Sequence, residues 1–127
     1  MIEDNKADVF LVEEAMAIHG IHAELQVVTD GEEAMRRIEE TGMRDRPPDL
    51  FILDLNLPKY SGHEILAHIR RNADYAHIPV LIMTSSDSEK DRQETTRLGS
   101  NGYFCKPTGL DEFLEIGALI TSLIRGG

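Results

Sequence analysis

Leu50-Phe51-Ile52-Leu53 runs straight into Asp54, and the breaker pair Pro47-Pro48 stands just before it. Four apolar residues in succession, with no polar alternation, mark a strand buried on both faces. A second run of this kind, Val80-Leu81-Ile82-Met83, is introduced by Pro79 and ends at Thr84. A third, Gly102-Tyr103-Phe104-Cys105, is closed by Lys106-Pro107. Residues 23–28 (AELQVV) read as a further strand, partly alternating.

Helical patterns fill the intervals. Residues 8–19 carry Phe10, Leu11, Ala15 and Ile18 at helical spacing, with Gly20 placed to end the helix. Residues 31–41 use Ala34, Met35 and Ile38 and stop near Gly42, while residues 63–72 turn Ile65, Leu66 and Ile69 inward. Residues 88–98 end at Gly99, and residues 110–124 form the last helix. Strands alternating with helices imply parallel βαβ units, hence a three-layer α/β sandwich. No repeat or long linker interrupts the pattern, so residues 1–127 are expected to form one domain.

In an open parallel sheet, ligands bind beyond the carboxyl ends of the strands. The residues expected there are Glu3 and Asp4, then Asp54, Thr84 and Lys106, each following a different strand. Only Met1 and Ile2 precede the acidic pair, so the first strand is expected to be truncated. Crowded carboxylates repel one another unless a cation joins them. Oxygen-only ligands suit Mg2+, which often bridges to phosphate. A lysine ammonium and a threonine hydroxyl beside them can meet phosphoryl oxygens, and a carboxylate can serve as a covalent nucleophile. Each residue alone has an ordinary explanation. The Glu3-Asp4-Asn5 run could simply cap a helix, although Asp8 is the better placed cap.

Taken together, Ile2-Glu3-Asp4-Asn5, Asp54-Leu55-Asn56-Leu57-Pro58 with Gly62, Met83-Thr84-Ser85 and Tyr103-Phe104-Cys105-Lys106-Pro107 resemble the receiver domains of two-component response regulators. The resemblance implies a flavodoxin-like fold with a five-stranded parallel sheet in the order 2-1-3-4-5. It implies that Asp54 accepts a phosphoryl group from a sensor histidine kinase. Asp4 and Asp54 would bind Mg2+ with the backbone carbonyl of Asn56, and Glu3 is the other acid of the pair. Thr84 and Tyr103 correspond to the switch hydroxyl and switch aromatic, and Lys106 to the family's lysine. Such a domain catalyses its own phosphotransfer and autodephosphorylation, and is not a conventional enzyme. The wording around Asp8-Val9-Phe10-Leu11 and Asp54–Lys59 is similar to stand-alone regulators paired with bacterial phytochromes. Ser85 departs from a frequent alanine, and Thr108-Gly109 from a frequent apolar residue.

Composition narrows the field further. A formal charge of -10 argues against nucleic acid as a partner. Cys105 is the single cysteine, so no internal disulfide forms, and its apolar run suggests a buried, inert thiol. No apolar stretch approaches the ~20 residues of a membrane span, and no signal peptide is recognisable, which favours the cytoplasm. The last helix carries two apolar stripes: Leu110, Phe113, Leu114, Ile120 and Ile124, and roughly opposite them Ile116, Leu119 and Leu123. The second is a candidate interface for a homodimer or a partner. The five histidines, among them His63 and His68, show no close metal-ligand spacing and read as surface or boundary residues.

Two alternatives remain. A phosphorylation-independent binding module of the same fold would act through surfaces alone, and the intact acid, hydroxyl and lysine set argues against it. A flavodoxin-like cofactor carrier lacks support, because nothing resembles a Gly-rich nucleotide loop. With the chain ending at the last helix, no output domain is expected, so the signal would pass to another protein.

Overall fold

A computed structural model describes residues 1–40 and 47–126. The expected helix stop at Gly42 lies outside the described residues. In chain order the elements are α1 (Lys6–Ile18), α2 (Gly31–Glu39), β1 (Phe51–Leu53), α3 (Gly62–Arg71), β2 (Val80–Thr84), α4 (Glu89–Arg97), β3 (Gly102–Cys105), α5 (Leu110–Leu114) and α6 (Ile116–Gly126). The three strands form a parallel sheet in the order β1-β2-β3. Two parallel bridges extend it: Ile2 pairs with Leu53 on one side and with Val28 on the other. The lanes therefore run Val28, Ile2, β1, β2, β3, which is the order 2-1-3-4-5 read from the sequence, with the first lane reduced to Ile2.

The expected strand over residues 23–28 is a correction. Its regular part is a single bridge at Val28, because the neighbouring lane offers Ile2 alone as a bridge partner. Residues 23–27 are thus left without a ladder beyond the Gln26 carbonyl, which accepts from the Met1 amino group at 2.7 Å, and a segment so sparsely paired does not form a regular strand.

Both sheet faces are apolar, which explains the unbroken runs. Phe51, Leu53, Val80 and Ile82 point into a core with Ala34 and Ile38 of α2 and Ile65, Leu66 and Ile69 of α3. Ile52, Leu81 and Met83 point the other way, onto Val12 and Ala15 of α1 and Phe113, Ile116 and Ile120. Fully burying one such aliphatic side chain contributes roughly 1.5–3 kcal/mol. By contrast α4 is polar, with Thr95 its one buried residue, so burial anchors it weakly.

Short polar side chains start the helices. Asn5, Asp30, Ser61 and Ser88 each accept a first-turn N–H, a cap that typically contributes about 1 kcal/mol. The expected cap at Asp8 is therefore corrected to Asn5, whose Oδ1 accepts from Ala7 and Asp8. Opposite the carboxyl end of the sheet, Arg70 of α3 makes five hydrogen bonds to Ala76, Ile78, Gly99 and Asn101. Asn101 Oδ1 also accepts from the Val80 N–H at the start of β2.

The expected helix over residues 110–124 is interrupted at Glu115, whose N–H bonds back three residues to Glu112 rather than four. Its two stripes are also redrawn. Ile116 is fully buried with Phe113 and Ile120, whereas Leu110 and Ile124, assigned to the core stripe, are exposed. Leu119 and Leu123 are half-buried, lying over Gly102 of β3. The helix rides across the sheet edge, so residues flanking the Phe113–Ile116–Ile120 line also find cover. Cys105 is half-buried rather than buried, with Sγ 3.8 Å from the Ser85 carbonyl oxygen.

Candidate functional site

The buried lane of Ile2 delivers two acids side by side to the end of the sheet. Ile2 N–H donates to the Ile52 carbonyl and its own carbonyl accepts from Asp54 N–H, which locks the acidic pair next to the end of β1. Glu3 points inward and is 1% exposed, while Asp4 points to solvent. Asp54 follows β1 directly and is 5% exposed. Carboxylate oxygens of Glu3, Asp4 and Asp54 all lie within 4.8 Å of one another. Gly62 closes the loop after Asp54, with its N–H bonded to the Leu55 carbonyl. A Cβ there would stand 2.7 Å from Leu55 Cα and closer still to the Asp54 carbonyl oxygen, so no side chain fits.

Lys106 enters from the end of β3, held by its N–H to the Thr84 carbonyl at 2.7 Å. Its ammonium stands 2.8 Å from both Glu3 Oε1 and Asp8 Oδ2, and 3.6 Å from Asp54 Oδ2. Burial alone would lower the pKa of Lys106, but the hydrogen bonds to Asp8 and Glu3 and the nearby Asp54 charge together raise it. Burial pushes the Glu3 carboxyl up to about 7; the hydrogen bond from Lys106 opposes this, and the Asp54 charge reinforces it. A buried acid this reluctant to ionise is a group waiting for positive charge.

Thr84 ends β2 fully buried, and its Oγ1 accepts from the Ser86 N–H at 3.3 Å. Tyr103, on β3, donates its hydroxyl to the Ser86 carbonyl at 2.8 Å while Arg92 of α4 stacks 4.4 Å above its ring. Asn56 is exposed two residues past Asp54, with its N–H 3.4 Å from Asp54 Oδ1. All the residues singled out from the sequence thus sit at one end of the sheet.

The match to the response regulator receiver domain covers residues 1–117. The chain belongs to the response regulator receiver family. Among its relatives, response regulator Rcp1 of Synechocystis sp. is 37% identical over 118 residues, covering 91% of this chain and 80% of the relative. The probable methanogenesis regulatory protein FilR2 of Methanothrix harundinacea is 33% identical over 114 residues, covering 88% of this chain and 73% of the relative. Among solved structures, the phosphorylated cyanobacterial phytochrome response regulator RcpA superposes with a TM-score of 0.88 at 35% identity, covering 99% of this chain and 92% of that one. The Mn2+-bound form of Rcp1 gives 0.84 at 36% identity, covering 95% and 88%. This protein is therefore a response-regulator receiver with a flavodoxin-like parallel α/β fold.

In this receiver the acidic cluster suits a hard divalent cation. Its donors are all oxygens, one acid is buried with a raised pKa, and the solvent-facing Asp4 leaves room for retained waters. Asp8, read from the sequence only as a helix cap, has a different role in the structure. It sits one helical turn beyond the acidic pair and shares Lys106 with Glu3. The cap reading hid this contact, because only the packing of α1 against the end of β3 brings Lys106 beside it.

Proposed function

We propose that Asp54 accepts a phosphoryl group from the phosphohistidine of a sensor histidine kinase, with Mg2+ held by Asp4, Asp54, Glu3 and the Asn56 backbone carbonyl. One observation carries this reading: a buried aspartate at a strand end, with two more acids within 4.8 Å and a lysine ammonium 3.6 Å away. Attack of an Asp54 carboxylate oxygen forms the O–P bond as the P–N bond breaks and the imidazole leaves. When bound, the cation neutralises charge on the carboxylates and the phosphoryl oxygens. Lys106 supplies a point charge beside Asp54, and the Thr84 hydroxyl donates to a phosphoryl oxygen. The same groups serve hydrolysis of the aspartyl phosphate, so the domain catalyses its own phosphorylation and dephosphorylation.

The output follows from added negative charge. Thr84 moves toward the phosphate, Ser86 follows, and Tyr103 gives up its bond to the Ser86 carbonyl and turns inward. Weakly anchored α4 then shifts against α3, altering a protein-binding surface. The single receiver unit of residues 1–127 acts in the cytoplasm on protein partners and not on nucleic acid, as its charge of -10 supports. No helix among the described residues is long and apolar enough to cross a membrane. The likeness to the cyanobacterial phytochrome response regulator RcpA supports a phytochrome-type kinase as the donor. Self-association through residues 110–124 would rest on exposed Leu110 and Ile124 rather than on Leu119 and Leu123.

Incubation with a small phosphodonor and Mg2+ tests the acceptor. Wild type takes up one phosphoryl group and Asp54→Asn takes up none; stoichiometric labelling of the variant overturns the assignment, and an unlabelled wild type points to a phosphorylation-independent module.

A further inference from the structure

A second cluster lies outside the acceptor site, between α3 and α4. His63, at the start of α3, directs Nε2 toward Asp91 Oδ1 at 3.3 Å and Glu94 Oε2 at 3.6 Å. The three donor atoms all lie within 4.8 Å of one another. The sequence hid this group, since the histidine and the two acids sit on different helices.

The separations discriminate between two kinds of cation. A protonated imidazole paired with a carboxylate closes to about 2.7–2.9 Å. Here Nε2 is shielded from solvent yet makes no hydrogen bond. Three ligands about 2.0–2.2 Å from a shared tetrahedral metal stand roughly 3.3–3.6 Å apart, because tetrahedral edges are about 1.6 times the bond length. The outer contacts agree. Asp91 engages its other oxygen with Ser86 Oγ at 2.6 Å, and Lys90 lies 4.0 Å from the other oxygen of Glu94. Asp91 thus has one oxygen held by Ser86 and the other facing His63, the arrangement by which an outer partner orients a metal ligand.

We propose that His63, Asp91 and Glu94 form a binding site for a divalent transition metal, Zn2+ foremost, with a fourth position open to water. One nitrogen and two carboxylate oxygens suit Zn2+, whereas the oxygen-only set at Asp54 suits Mg2+. A metal here ties α3 to α4, and through Asp91 and Ser86 the site is two hydrogen bonds from Tyr103.

Zn2+ titrated calorimetrically into the chain, with excess Mg2+ present, tests this. Wild type binds one equivalent and its thermal midpoint rises with Zn2+. His63→Ala and Glu94→Gln each weaken that event at least tenfold and lose the rise, while Mg2+-dependent labelling by a small phosphodonor stays at the wild-type level. Glu94 is partly exposed on α4, so its variant keeps the test valid if His63→Ala folds poorly. Absence of the event in wild type, or its retention in either folded variant, overturns the site.

Discussion

Lys106 Nζ stands 2.8 Å from Glu3 Oε1 but 3.6 Å from Asp54 Oδ2. The lysine is held by the buried acid and by Asp8, close to Asp54 but not bonded to it. On the proposed function, an incoming phosphoryl group would meet a cation already positioned, with no side chain to order.

Removing that cation leaves Glu3, Asp8 and Asp54 facing one another. Lys106→Met should lose about 3 kcal/mol of stability in chelator, the scale of breaking a buried ion pair. Urea unfolding checks this, and Mg2+ should restore more stability to the variant than to wild type. Equal Mg2+ effects would mean that Lys106 does not neutralise the cluster.

Glu3 gives the metal-free protein a pH dependence. Folding raises its pKa from 4.5 to about 7, so the folded state holds the proton more tightly than the unfolded chain. Its contribution is fully present below about 4.5 and is lost as pH climbs through 7. In chelator, urea midpoints should show this fall between pH 5 and 8, superimposed on the other titrations. Glu3→Gln should remove it, and identical profiles would refute the assignment.

Gly62 packs on the backbone of the acceptor. Gly62→Ala should cost about 1–3 kcal/mol by overpacking, since backbone atoms of Asp54 and Leu55 must move. Labelling of Asp54 should slow as its carbonyl shifts. Normal stability with normal labelling would show that the loop absorbs the methyl freely.

Tyr103 is assigned to the output and not to the chemistry. Tyr103→Phe should lose one hydrogen bond to the Ser86 carbonyl, about 1 kcal/mol, and leave the rate of Asp54 labelling unchanged. A labelling rate reduced tenfold would move Tyr103 into the acceptor machinery.

Much of this was legible because the sheet is buried on both faces. Phe51–Leu53 and Val80–Met83 had to be apolar at every position, and Asp54 and Thr84 had to break those runs at their ends, as Lys106 does after Gly102–Cys105. Residues 23–28 looked equally strand-like, yet a strand is a property of a pair, and Ile2 bridges only Val28 of that segment. The orientation of α5 and α6 was misread because Ile116, Leu119 and Leu123 all find cover from a sheet edge that helical periodicity cannot see. Asp8 and the cluster around His63 escaped for a related reason: both depend on which helix lies beside which lysine or histidine.

Arg70 clamps one end of α4. Its guanidinium fastens α3 to the carbonyls of Ile78 and Gly99, at the foot of β2 and the tail of α4. Gly99, with φ of 104° and no room for a Cβ beside Arg70, seats that tail tightly. The head of α4 meets the Thr84 loop through the Ser86–Asp91 and Ser86–Ser88 contacts. The Arg70 clamp thus holds α4 at its Leu98–Gly99 end, while the Thr84 loop meets the opposite end through Ser86, so any displacement of Thr84 would reach α4 at the end furthest from that clamp.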